Sequence, residues 1–254
     1  YTASIVGCLD ATTTVTITVE ASLQPGTPSD AIVCNTVASF DLFGQLAGED
    51  LGGDWSLTST TGGGAVFVGA TTAGSIDFTA AIAGDYVYTY EVPATANCPL
   101  DQAVVTITVE EAPIAGTATD VTLCTTEAAF DLFGQLAGED AGGDWALTGG
   151  TGTGSAFVGA TTAGTIDFTG VTAAGTFEYT YTIAATATCP SASEIVTLTA
   201  EVAPTAGAAT AVTICNTAAA FDLYGQLTGE DVGGDWVLTG GTGAGAVFVG
   251  ATTA

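Results

Sequence analysis

One sixteen-residue stretch occurs three times in this 254-residue chain, and that recurrence limits what the chain can fold into. "FDLFGQLAGEDLGGDW" runs from Phe40 to Trp55, "FDLFGQLAGEDAGGDW" from Phe130 to Trp145 and "FDLYGQLTGEDVGGDW" from Phe221 to Trp236. Other positions keep the same step. Cys34, Cys124 and Cys215 hold one place in the repeat, and Cys8, Cys98 and Cys189 hold another. "VTITVE" ends at Glu20 and at Glu110, and "VTLTAE" ends at Glu201, so the period is 90 residues and then 91. This divides the chain into the C-terminal strands of one module (1–20), two whole modules (21–110 and 111–201) and the N-terminal part of a further module (202–254). A solenoid unit has roughly 20–50 residues and cannot bury its own core. A module of this length can, so the expectation is a string of domains read from a window of something longer.

Within a module the apolar residues alternate with period two, the signature of half-buried strands. "DYVYTYEV" puts Tyr86, Tyr88, Tyr90 and Val92 on one face, and "TFEYTYTI" does the same with Phe177, Tyr179, Tyr181 and Ile183. "AVVTITVE" sets Val105, Ile107 and Val109 against Val104, Thr106, Thr108 and Glu110. "GSIDFT" opposes Ile76 and Phe78 to Asp77, while "DAIVC" and "DVTLC" read as short strands leading into a cysteine. No segment carries a sustained helical period. About seven short strands per module predict tandem immunoglobulin-like antiparallel β-sandwiches. The joints "ASLQPGTPSD", "EAPIAGTATD" and "VAPTAGAATA" are short and contain Pro, which predicts stiff connections and an extended rod.

Composition then excludes whole classes of function. There are 27 acidic residues and no Lys, Arg, His or Met, a formal charge of −27. No side-chain ion pair can form, and every carboxylate must face water, accept a neutral hydrogen bond or meet a cation from solution. Nucleic acid and anionic lipid are repelled by such a surface. Hydrophobic residues at 47% separate the chain from disordered acidic tails. No apolar run approaches the 18 residues of a membrane span. Without His or Lys the usual nucleophilic triads cannot be assembled, and the chain is read as not an enzyme.

Six cysteines at repeating positions point to an oxidising, extracellular setting. Two pairing schemes fit the spacing. An intra-module scheme joins Cys34 to Cys98 and Cys124 to Cys189, with Cys8 and Cys215 paired outside the window. A cross-joint scheme joins Cys8 to Cys34, Cys98 to Cys124 and Cys189 to Cys215. The intra-module scheme is preferred, because strands two and six of such a sandwich run the same way and their ends meet at one pole. A zinc site is not expected, since CxxC spacing and His are both absent.

The repeated stretch itself has a structural reading and three functional ones. In the structural reading Phe40, Leu42 and Leu46 pack the core, Gly44, Gly48, Gly52 and Gly53 form turns, and Trp55 opens a central strand. Calcium is the cofactor its carboxylates would suit, because hard cations seek clustered oxygens. The candidate ligands are Asp41, Glu49, Asp50 and Asp54, then Asp131, Glu139, Asp140 and Asp144, then Asp222, Glu230, Asp231 and Asp235. Their spacing is not that of an EF-hand. Trp55 stacking on a sugar is a third reading, and paired catalytic carboxylates a fourth. Triplication argues against the last, since stalks use identical beads in series and enzymes seldom use identical active sites in tandem.

The order "VCNT", "FDLFGQL", "GGDW", "YTY", late Cys, "VTITVE" resembles the tandem modules of very large secreted surface proteins of gliding Bacteroidetes, the SprB-type gliding adhesins. The resemblance covers the chain module by module. It implies an extracellular, cell-surface adhesin or filament stalk of gliding motility, exported by the type IX secretion system. Its partners would be neighbouring copies or modules of the same fibre and a surface polysaccharide. The alternative function is a tandem calcium-dependent module that binds carbohydrate or a surface.

Overall fold

Alternation in the sequence becomes alternation in burial. The computed structural model describes residues 1–243 and 245–248, and among them it is built of β-strands and short 3-10 turns. In the first whole repeat four strands form the main sheet: β1 (Ala31–Cys34), β2 (Asp54–Thr60), β3 (Gly84–Val92) and β4 (Asp101–Glu110). Their spatial order is β1-β4-β3-β2. Strand β3 runs antiparallel to both neighbours, with Tyr86 opposite Ile107 and Tyr90 opposite Trp55. Tyr86, Tyr88, Tyr90, Val105, Ile107 and Val109 all turn inward and are buried.

The second layer is shorter. Phe40–Asp41, Ser75–Asp77 and Val66–Phe67 form one three-stranded sheet, and Thr27–Pro28 pairs with Leu46–Ala47 beside it. Leu42, Ile76 and Phe78 reach from this side into the core with no exposed surface. Phe78 meets Phe40 and Tyr86 edge-on, with ring centroids 6.0 and 5.7 Å apart. Edge-to-face pairs of this kind add ~0.5–1.5 kcal/mol beyond the area they bury.

The second whole repeat uses β5 (Val121–Cys124), β6 (Asp144–Gly150), β7 (Gly175–Ile183) and β8 (Ala192–Glu201), in the order β5-β8-β7-β6. Phe177, Tyr179 and Tyr181 are buried along β7, as the alternation predicts, and Ile183 at its end is half-buried. The sandwich is not wholly antiparallel. Strands β1 and β4 run parallel, with Cys34 opposite Glu110, and β5 and β8 do the same, with Cys124 opposite Glu201. An aspartate pins each parallel pair at its start. Asp30 accepts the Thr106 N–H at 2.8 Å, and Asp120 accepts the Thr197 N–H at 2.9 Å.

The chain clusters into two compact units. Unit 1 comprises residues 1–116, 138–143 and 182–194, and unit 2 comprises residues 117–137, 144–181 and 195–254. The loop 138–143 and the hairpin tip 182–194 therefore belong with unit 1, although the sequence period places them in the second repeat.

In each whole repeat a half-buried aspartate closes a local turn after the short strand that carries it. Asp77 accepts both the backbone N–H and the hydroxyl of Thr79, and these bonds hold its carboxyl below the usual carboxylate range. Asp167 is lowered in the same way by the hydroxyl and N–H of Thr169. Because the folded pKa lies below the unfolded one, the stabilisation is full above about 3.8 and is lost as pH falls through the folded value. Asp77→Ala is expected to melt below the parent at neutral pH, with the gap closing in acid. Melting curves of both proteins across the acidic range check this, and a gap that persists at the lowest pH would contradict it.

Candidate functional site

The repeated stretch begins with a turn. Asp41 accepts the Phe43 N–H at 2.9 Å, an Asx turn that opens the 3-10 turn Phe43–Gln45. Asp131 and Asp222 repeat the bond to Phe133 and Tyr224, each at 3.0 Å. The turn presses Phe43 edge-on against Trp55 and Tyr90, with ring centroids 5.7 and 5.2 Å away. Phe133, Trp145 and Tyr181 form the same cluster. Trp55 and Trp145 are each 1% exposed, so neither ring is open to stack on a sugar. Their indole N–H groups are buried without a hydrogen-bond acceptor, and each ring lies against an edge-on phenylalanine and a tilted tyrosine.

Gly53 in "GGDW" is required by close approach. A Cβ there would strike the Glu91 carbonyl and lie 2.8 Å from the Tyr90 ring. Its N–H donates to the Tyr90 hydroxyl at 3.0 Å, and that hydroxyl donates to the Asp50 carbonyl at 2.8 Å. The phenol thus ties the acidic loop to the core.

The aspartate of "GED" has the most specific role. Asp50 accepts the Gln24 N–H on Oδ2 at 2.8 Å, and its own N–H donates to the Gln24 carbonyl at 2.7 Å. Asp140 clasps Ile114 in the same two-way manner, both bonds at 2.8 Å. Asp231 clasps Thr205 at 2.7 and 2.9 Å. Each clasp fixes the joint segment that leads into a repeat. Asp50→Ala removes the charged acceptor and is expected to cost about 1–3 kcal/mol, whereas Asp50→Asn keeps an acceptor oxygen and costs less. Urea unfolding of the two variants measures the difference, and equal losses would contradict the clasp.

The calcium candidates are thus dispersed among separate duties. Asp54 and Asp144 accept hydroxyl bonds from Thr71 and Thr161 at 3.2 and 3.3 Å. Glu49, Glu139 and Glu230 are half-buried on the loop beside the clasps, and Asp235 lies in the third, partial repeat. Among the described residues no group of three or more Asp, Glu, Cys or His side chains is placed to hold a metal ion.

The cysteines correct the sequence reading. Cys34 is bonded to Cys189, 155 residues away, with Cα atoms 4.9 Å apart, and Cys8, Cys98, Cys124 and Cys215 are free thiols. Neither the pairs Cys34–Cys98 and Cys124–Cys189 nor the cross-joint pairs form. The parallel register explains why. Cys34 stands beside Glu110, at the end of β4, while Cys98 precedes the start of β4 at Asp101. Ten strand residues at ~3.3 Å each separate the two by about 30 Å, and a disulfide needs Cα atoms within about 7 Å. Cys124 likewise stands opposite Glu201 at the end of β8, and Cys189 precedes the strand's start at Ala192.

What meets Cys34 is the hairpin tip 182–194, through contacts internal to unit 1. Thr186 and Thr188 donate their hydroxyls to the Glu110 carboxylate, the first at 3.2 Å. Cys189 Sγ lies 3.7 Å from the Glu110 carbonyl, which also accepts the Asn35 N–H at 2.9 Å. Glu110 is therefore a functional residue of this joint that sequence reasoning overlooked. The one signal for it was the glutamate closing each "VTITVE" or "VTLTAE" segment.

No family model matches the chain, and no curated protein matches it. Structure comparison finds EC1-4 of Drosophila N-cadherin, at 9% identity and a TM-score of 0.36, covering 68% of this chain and 49% of that one. It also finds EC1-2 of human protocadherin-24, at 12% identity and a TM-score of 0.34, covering 67% of this chain and 93% of that one. EC1-2 of human mucin-like protocadherin follows at 12% identity and a TM-score of 0.31, covering 72% and 98%. The chain spans about half the length of the N-cadherin structure it matches. Its architecture is defined by its own strands and registers.

Proposed function

We propose that the chain is a structural and adhesive repeat segment of a long extracellular fibre, in which modules follow one another as a stiff rod. The observation that carries this reading is the employment of the triplicated stretch. Its tryptophan packs the core in both whole repeats, and in all three copies its first aspartate opens a turn and its "GED" aspartate clasps a joint, so the stretch is a building part used three times. The disulfide supports an oxidising, extracellular setting. No helix among the described residues is long and apolar enough to cross a membrane. The partners are neighbouring modules or copies of the same fibre, and on this reading the cell surface is where it works. The SprB-type resemblance supports a surface adhesin. Antibodies raised against the chain should decorate filaments outside cells that express it, and labelling confined to the cell interior would contradict the proposal.

A clasp made by hydrogen bonds does not need a metal. Adding EDTA or millimolar calcium is expected to leave the melting temperature unchanged, as differential scanning calorimetry would show. A shift of many degrees would favour the tandem calcium-dependent binding module instead.

A further inference from the structure

Both halves of the bonded pair occur again, unpaired, in matching surroundings. Cys34 ends a strand in parallel register with Glu110, and the next residue, Asn35, donates its N–H to the Glu110 carbonyl at 2.9 Å. Cys124 ends a strand in parallel register with Glu201, and the next residue, Thr125, donates to the Glu201 carbonyl at 2.9 Å. Cys189 closes a turn in which the Thr186 N–H donates to the Cys189 carbonyl at 3.0 Å and the Cys189 N–H donates to the Thr186 hydroxyl at 2.9 Å. Cys98 closes the same turn with Thr95, at 3.0 and 3.1 Å. Cys189 Sγ is 3.7 Å from the Glu110 carbonyl, and Cys98 Sγ is 3.8 Å from the Glu20 carbonyl. Asn97 completes the match by donating to the Glu20 carboxylate at 2.9 Å, where Thr188 donates to that of Glu110.

We infer that Cys124 and Cys98 are half-sites of further inter-repeat disulfides, each completed by a cysteine of another repeat of the same polypeptide. The rule is the one that Cys34 and Cys189 obey: the early cysteine of each repeat bonds the late cysteine of the next. Cys124 takes the late cysteine of a following repeat, and Cys98 takes the early cysteine of a preceding one. Each joint is then closed by one covalent bond, and each repeat takes part in two. The inference concerns how joints close, and it stands apart from the adhesive reading.

The chemistry is thiol–disulfide exchange. Two thiols become one disulfide, and two electrons and two protons pass to an external disulfide such as oxidised glutathione, which leaves as two thiols. Cys124 is exposed, and the Thr126 hydroxyl and N–H hold its thiol below the ordinary cysteine range, which enriches the attacking thiolate. Cys215, at the same place in the repeat, is lowered by Thr217, whose hydroxyl donates to its sulfur at 3.1 Å.

The test is a chain in which segment 111–201 is inserted a second time after Glu201, refolded in a glutathione couple beside the 254-residue chain. The parent should show one disulfide and four free thiols. The extended chain carries two more cysteines and should still show four free thiols, with a second disulfide formed. A thiol number that rises by two would overturn the proposal. Cys124→Ser in the original copy of the extended chain should abolish the second disulfide and raise the free thiols by one. A second disulfide that survives this substitution would overturn it equally.

Discussion

Trp55→Ala is expected to destabilise the first whole repeat by about 3–5 kcal/mol, the range for deleting a large buried aromatic. The ring is buried under Phe43 and Tyr90, with centroids 5.7 and 5.1 Å away, and it faces β3 in register with Tyr90. Its removal leaves a cavity walled by other aromatics and frees the Tyr90 phenol that ties Gly53 and the Asp50 carbonyl to the core. The loss should therefore reach the Asp50 clasp. Urea unfolding followed by circular dichroism gives the magnitude, and faster amide exchange at Gln24 and Asp50 gives the reach. Leu57→Ala is the control, because Leu57 is 39% exposed on β2 and should cost far less. A loss at Trp55 no larger than at Leu57 would contradict the account of the core.

Cys34→Ser is expected to have the second large effect, up to about 5 kcal/mol on the chain-entropy account of a loop this long. The effect falls on the joint more than on either core, because the bond ties the end of β1 to the hairpin tip 182–194. Mechanical extension shows it directly. The bond shields the 155-residue separation between its cysteines, which at ~3.4 Å per residue is about 500 Å of chain. An oxidised chain pulled from its ends should fall short of the Cys34→Ser chain by about that length. Equal final lengths would mean that the bond is absent.

Much of the fold was legible because alternation is local. Tyr86, Tyr88 and Tyr90 each sit two residues apart, and a strand buries every second side chain, so one face could be assigned without knowing its neighbour. The core role of Phe40, Leu42, Leu46 and Trp55 was legible from residue type, since large apolar side chains are the ones a folded domain buries. The parallel pairing of β1 with β4 was not, since a four-residue strand carries no mark of its partner's direction. That omission produced the wrong disulfides. Cys34 and Cys98 were placed at one pole on the premise that the late cysteine ends a strand, but it precedes β4. "NCPLD" at 97–101 held a hint, as Pro99 marks a hairpin tip ahead of the strand.

What the acidic stretch does in the fold was legible only in part. Its turn and core residues are neighbours in sequence, whereas the partner of Asp50 is Gln24, 26 residues earlier. The same interval separates Asp140 from Ile114 and Asp231 from Thr205. A backbone N–H as partner leaves no trace in residue type, so only the constant interval could have suggested it.

The central claim is that successive repeats are stapled across their joint, and a non-reducing peptide map tests it most directly. Cleavage after every glutamate puts each of the six cysteines on its own fragment. The account predicts that fragment 21–49, which carries Cys34, is recovered joined to fragment 179–194, which carries Cys189. Fragment 21–49 joined instead to fragment 92–110, which carries Cys98, would contradict it.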